Sequence, residues 1–175
     1  MTFSKRLLAS LVAVTCLSSA VQAADLLTAA SPMYDSAMFG FEGLYLGGTA
    51  GLGSFPGPDG SGLVGVVIGA NFEVTEAILT GLEFQADALW NSSGFYGMNA
   101  LLLGKLGGYL SDDMIIYGTA GGGWVAEDPS YGFGAGIEMA IADQFSVRGE
   151  GLVTGAWGEG PSGGKATAGL LWHFN

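Results

Sequence analysis

The chain is 175 residues long, enough for one domain, and its 49% hydrophobic content and mean hydropathy of +0.44 are high for a water-soluble protein. No apolar run reaches the roughly 18 residues a membrane helix needs, and the hydrophobicity is spread through 32 glycines in short alternating segments. Sixteen acidic residues against five basic ones give a net charge of −11, which excludes nucleic acid as a partner because phosphate binding needs clustered Lys and Arg.

Residues 1–23 read as a signal peptide. Lys5 and Arg6 form its positive end, Leu7 to Ala20 its apolar stretch, and Val21-Gln22-Ala23 a small-x-small cleavage site. A lipoprotein modified at Cys16 would be the rival, and Thr15 fits it badly. Cleavage removes the only cysteine, so the mature chain forms no disulfide. It also removes both leader bases and leaves 3 − 16 = −13. Residues 24–40 show no sustained period and carry Pro32, which suggests a periplasmic lead-in or, as its other reading, a short plug or partner-binding segment.

From residue 41 the chain falls into eight alternating segments, over about 42–53, 63–74, 78–90, 95–109, 114–125, 131–141, 145–157 and 165–174. Three connections, Thr75-Glu76-Ala77, Ser111-Asp112-Asp113 and Ala142-Asp143-Gln144, are short and polar. The other four are more varied and are expected to be the longer loops: 55–61, 92–94, 127–130 and 158–164. Short turns at one end and longer loops at the other, with strands of about ten residues, predict an all-β, eight-stranded, antiparallel up-and-down transmembrane barrel over 41–175. A soluble β-sandwich or lipocalin-like can is the runner-up.

The last strand shows the pattern best. Ala166, Ala168, Leu170, Trp172 and Phe174 share one face, against Lys165, Thr167, Gly169 and His173 with Leu171 as an apolar exception. Likewise Leu82, Phe84, Ala86, Ala88 and Trp90 should face lipid while Glu83, Gln85 and Asp87 face inward. The fifth strand stays open, because Tyr117 and Trp124 fall on opposite parities. Two aromatic girdles are expected at the membrane interfaces: Trp90, Trp124 and Trp157 at the outer rim, and Phe72, Tyr109, Phe145, Trp172 and Phe174 at the periplasmic rim.

An eight-stranded barrel is just wide enough for side chains to fill. The lumen is expected to hold Glu73, Glu83, Asp87, Glu138 and Glu150 against Lys105, Arg148 and Lys165, paired across the wall because an isolated buried charge is costly. The excess acid would be relieved by trapped water, a neutral carboxyl or a bound cation.

Several segments resemble the small outer-membrane β-barrel family of alphaproteobacteria, related to opacity-type surface proteins and the barrel of OmpA. They are Phe41-Glu-Gly-Leu-Tyr-Leu-Gly-Gly48, Gly104-Lys-Leu-Gly-Gly-Tyr109, Tyr117-Gly-Thr-Ala-Gly-Gly-Gly123, Gly134-Ala-Gly-Ile-Glu138, Val147-Arg-Gly-Glu150 and Gly169-Leu-Leu-Trp-His-Phe174. The resemblance implies insertion into the bacterial outer membrane by the barrel-assembly machinery, which recognises a terminal aromatic strand; here Asn175 follows Phe174. The family's outer loops are usually longer, which argues against an adhesive role.

No catalytic residue, cofactor or metal site is expected. Gly158-Glu-Gly-Pro-Ser-Gly-Gly-Lys165 mimics a phosphate loop, but Glu159 displaces a glycine and Ala166 replaces the Ser or Thr. A lipid A-modifying enzyme would need its base at the outer rim, and the single histidine, His173, lies at the other end. Asp59 and the Glu127-Asp128 pair read as solvated loop acids rather than calcium ligands. The expected function is a structural or interfacial envelope role in contact with lipopolysaccharide, as a monomer with a filled lumen. A porin-like diffusion channel is the alternative.

Overall fold

In the computed structural model, residues 39–55 and 60–174 are described; the segment expected to be a signal peptide, the lead-in to residue 38, Asp59 and Asn175 lie outside them. Eight strands follow in chain order: β1 (Gly43–Ser54), β2 (Ser61–Thr75), β3 (Ile78–Asn91), β4 (Gly94–Ser111), β5 (Met114–Val125), β6 (Asp128–Ala142), β7 (Phe145–Ala156) and β8 (Gly163–His173). Each pairs antiparallel with its sequence neighbour, and β8 returns to β1, closing the barrel. Closure is what the chemistry of the wall requires: with every N–H and C=O in a ladder, no unpaired edge faces an apolar surround.

Phe39 and Phe174, the ends of the described chain, and three two-residue turns lie at one end, here the terminal end. These turns are Glu76-Ala77, Asp112-Asp113 and Asp143-Gln144. Thr75 Oγ1 accepts from the amides of Ala77 and Ile78 at 3.3 and 3.1 Å, and Ser111 Oγ donates to Asp113 Oδ1 at 2.6 Å, so the polar residues read from the sequence serve as turn locks. The opposite, far end departs from expectation. Only the β1–β2 and β7–β8 connections are longer loops there, whereas β3–β4 and β5–β6 turn through Ser92-Ser93 and Ala126-Glu127. Asp128, Pro129 and Ser130 belong to β6, paired with Val125, Trp124 and Gly123. Positive φ of 48° and 77° at Ala126 and Glu127 gives the mirror-image turn that matches strand twist, so the ladder runs to its end without a loop.

The alternation read from the sequence holds around the wall. Leu82, Phe84, Leu170 and Trp172 are exposed, with Leu52 71% and Leu106 63% exposed, while Glu83, Asp87, Lys165 and His173 are buried. Hydrocarbon outside and charge inside inverts the soluble rule, and it overturns the sandwich and lipocalin readings. On β5 the ambiguity resolves simply. Positions 117 and 124 differ by an odd number, so Tyr117 enters the lumen with Ile115 and Thr119 while Trp124 faces out with Ile116 and Ala120.

Candidate functional site

The interior is stacked in layers along the barrel axis. At the far end, Phe55, Leu63, Leu89, Leu101, Leu103, Val125 and Leu152 form a buried apolar cluster. At the terminal end, Phe41, Leu79, Ile115 and Tyr117 form a second, with Phe39, Tyr109 and Ala140 packed against it. Buried charged residues lie between them and interleave with their edges: Glu83 pairs across the ladder with Leu103, Lys165 with Leu152 and Glu138 with Ile115.

Three ion pairs cross that space. Arg148 Nη1 lies 2.5 Å from Glu83 Oε2, Lys165 Nζ 2.5 Å from Asp87 Oδ2, and Lys105 Nζ 3.2 Å from Glu138 Oε2, all with side chains no more than 2% exposed. Strand parity supplies the inward direction, and the tilt of the barrel brings residues 33 to 78 positions apart into contact. Neutral donors join the pairs into one web. Tyr45 donates to Glu83 at 2.5 Å, and Gln85 Nε2 donates to Glu83 at 2.6 Å and to Glu150 at 2.7 Å. Tyr117 donates to Glu150 at 3.1 Å. Lys105 also lies over the Tyr117 ring at 4.1 Å and the Tyr45 ring at 5.2 Å, so its charge is spread over two aromatic faces as well as one carboxylate.

Seven of the eight residues expected in the lumen therefore meet. Glu73 does not: it keeps the inward parity but is exposed below the terminal end of the barrel, hydrogen-bonded by Tyr109. The enclosed balance is thus 3 − 4 = −1, from Lys105, Arg148 and Lys165 against Glu83, Asp87, Glu138 and Glu150. Glu150 is the acid without an ion pair within 4.0 Å, and its two oxygens are taken by Gln85 and Tyr117. Charge-free donors thus do part of what trapped water, a neutral carboxyl or a bound cation was expected to do. The sequence reading placed Gln85 inward without giving it a part in the network, and it missed Tyr45, Tyr117 and Ser146 as members. Their signal was parity alone: Gln85 and Ser146 stand two residues from an inward charge on their own strands, whereas Tyr45 and Tyr117 stand on strands that carry no charge.

The girdles also need one correction. Trp90, Trp124, Trp157, Phe72, Phe145, Trp172 and Phe174 are exposed on the outer wall as expected. Tyr109 instead has inward parity, with its ring centroid 6.0 Å from Phe41 and its hydroxyl on Glu73.

Beneath the terminal cluster lies a contact triangle. Ser146 Oγ is 3.0 Å from His173 Nε2 and donates to Glu138 Oε1 at 2.7 Å, and that oxygen is 2.9 Å from the same His173 Nε2. A nucleophile relay needs the serine on one imidazole nitrogen and the acid on the other. Here both crowd Nε2, Nδ1 has no hydrogen-bond partner, and Ser146 and His173 are 0% exposed. The triangle is built as packing, with the imidazole ring stacked 5.5 Å from Tyr45.

No protein-family profile matches the chain, and no curated protein matches it in sequence. Solved structures do match in shape. A de novo designed transmembrane β-barrel is 20% identical, covers 77% of this chain and 98% of its own, and superposes with a TM-score of 0.50. The outer-membrane protein Ail of Yersinia pestis, determined in a phospholipid bilayer nanodisc, is 9% identical over 74% of this chain and 99% of its own, at a TM-score of 0.47. The KdgM porin is 10% identical over 75% and 99%, at 0.39. The chain has the fold of an eight-stranded transmembrane β-barrel.

Proposed function

We propose that this protein is a small integral barrel of the bacterial outer membrane, exported behind a cleaved signal peptide, with a structural role in the envelope and no solute pathway. The observation that carries this reading is the double seal. Apolar clusters close both ends of the lumen, and a crossed ion network fills the middle, so the cylinder works as a solid stave in the bilayer. Two of the four far-end connections are two-residue turns and the other two span six residues each, which leaves little surface to grip a receptor. The opacity-type and OmpA-like resemblance, assembly by the barrel-insertion machinery, the monomeric state and the absence of enzymatic activity belong to the same proposal.

Contact with lipopolysaccharide takes a particular form on this surface. Among the described residues every Lys and Arg is buried, while Glu127, Asp128 and Glu159 are exposed at the far end. Outward Leu, Val, Phe and Trp side chains would therefore meet acyl chains directly, and anionic phosphates would be reached only through bridging divalent cations. Liposome swelling tests the sealed lumen: proteoliposomes should show no flux of small sugars above protein-free vesicles. Size-dependent flux would instead establish the diffusion-channel alternative.

A further inference from the structure

The three hairpins at the terminal end differ in sequence and are built alike. In each, the ladder slips by one residue just before the turn: after the Glu73–Leu79 pair in β2–β3, after Tyr109–Ile115 in β4–β5 and after Ala140–Ser146 in β6–β7. The residue left over is a branched aliphatic each time, Val74, Leu110 and Ile141, and these are 61%, 57% and 47% exposed on the outer wall. The hairpins are also tied together at this level. The carbonyl of each turn's second residue accepts from the next even-numbered strand: Ala77 from the Tyr109 amide at 3.3 Å, Asp113 from Ala140 at 2.8 Å and Gln144 from His173 at 2.8 Å. The residues after those three donors are Leu110, Ile141 and Phe174, so Phe174, 50% exposed, stands on β8's side of the barrel at the level of the bulges. Two or three residues beyond each bulge come exposed turn acids, Glu76, Asp112, Asp113 and Asp143.

We propose that Val74, Leu110, Ile141 and Phe174 form an anchoring ring that holds the hydrocarbon boundary of the bilayer at the terminal end, with the turn acids just outside it in water. A bulge leaves its extra residue out of the ladder, and unpaired backbone groups are not tolerated against hydrocarbon, so three bulges at one level mark where the apolar slab stops. Their side chains reach back into it. The ring is continuous with the lipid-facing wall through Phe72, Leu106 and Trp172, and its members stand on β2, β4, β6 and β8, right around the cylinder. A planar lipid surface meets all four together, whereas one globular partner would cover only a side. The proposal rests on the membrane-spanning reading and adds the depth at which the barrel rides: its turns lie flush with the bilayer surface instead of projecting from it.

Cys16 is the chain's only cysteine and lies in the segment proposed as the signal peptide, so single-cysteine variants of the mature barrel carry one nitroxide label each. Leu102→Cys, Leu110→Cys and Asp112→Cys are labelled and reconstituted in phosphatidylcholine vesicles. Each is then compared by collision with oxygen, which concentrates in hydrocarbon, and with a nickel chelate confined to water. The label at 110 should side with that at 102, with chelate collisions at least about fivefold fewer than at 112, because the hydrocarbon region excludes water. Ile141→Cys against Asp143→Cys repeats the comparison on a second hairpin, and decides it if the first pair does not fold. Equal chelate access at 110 and 112, with 102 still shielded, would overturn the ring and leave the lipid-facing wall standing. Chelate access at 102 as well would overturn the membrane-spanning reading beneath it.

Discussion

Removing Arg148 is the sharpest perturbation of the ion web. Its guanidinium lies 2.5 Å from Glu83 with side chains 1% and 0% exposed, so truncation to alanine leaves a buried carboxylate without its ion-pair partner. Breaking a buried pair by deleting one member costs about 3–5 kcal/mol. Tyr45 and Gln85 still donate to Glu83, which places the expected loss near the lower end, at about 3 kcal/mol. For a chain of this length that corresponds to a fall of roughly 6–12 °C in melting temperature. Urea unfolding in lipid vesicles, read by unheated gel mobility, supplies the free energy by linear extrapolation. The companion variant Glu83→Gln/Arg148→Met removes both charges, and it should recover most of the loss because the stranded carboxylate is gone. An Arg148→Ala variant within about 0.5 kcal/mol of wild type, the range of an ordinary surface change, would refute the buried pair. A double variant whose cost equals the sum of the two singles would refute the coupling.

Two glycines of opposite parity separate wall from lumen. A Cβ on Gly123 would sit 2.0 Å from the Ala100 carbonyl oxygen, so Gly123→Ala should cost about 3 kcal/mol or more in the same urea assay. Gly151 has nothing within 4 Å, and Gly151→Ala should be neutral to within about 0.5 kcal/mol. Leu102 is 57% exposed near the middle of β4; Leu102→Lys should cost about 2–4 kcal/mol in bilayers, and a neutral result would mean that this face does not meet hydrocarbon. Finally, magnesium should raise the melting temperature of the barrel in bilayers containing lipopolysaccharide and leave it unchanged in zwitterionic lipid, with a chelator reversing the gain.

Strand number, order and face were legible because the barrel obeys one rule at nearly every position: a period of two, with apolar residues toward lipid. Strand ends fell within about three residues for the same reason, as each polar turn breaks the alternation. Height along the axis was not legible. Glu73 and Glu83 both have inward parity, and only their places along the ladder separate them: Glu73 pairs with Leu79 two residues from the end of β2 and is exposed, whereas Glu83 lies in the middle of β3, paired with Gly69 and Leu103, and is buried. Tyr109 was misassigned on the same account, since an aromatic near a strand end satisfies either face until its pairing with Ile115 is known. The partners inside the lumen were hidden for another reason. Arg148 finds Glu83 across 65 residues by the tilt and closure of the cylinder, and no local spacing encodes either.

The placement of charge binds these observations together. The described residues carry three bases, and all three lie in the lumen, where each offsets a carboxylate that the low-dielectric interior would otherwise penalise heavily. Among the described residues the exposed ends carry acids alone: Glu42, Glu73, Glu76, Asp112, Asp113 and Asp143 at the terminal end, and Glu127, Asp128 and Glu159 at the far end. Spending every cation inside stabilises the core and strips the surface of groups that grip phosphate. A protein built this way meets an anionic membrane through its hydrocarbon-facing wall, and its rims repel lipid headgroups unless counterions intervene. That arrangement suits an element that fills the bilayer, and it works against one that recruits anionic ligands to its loops.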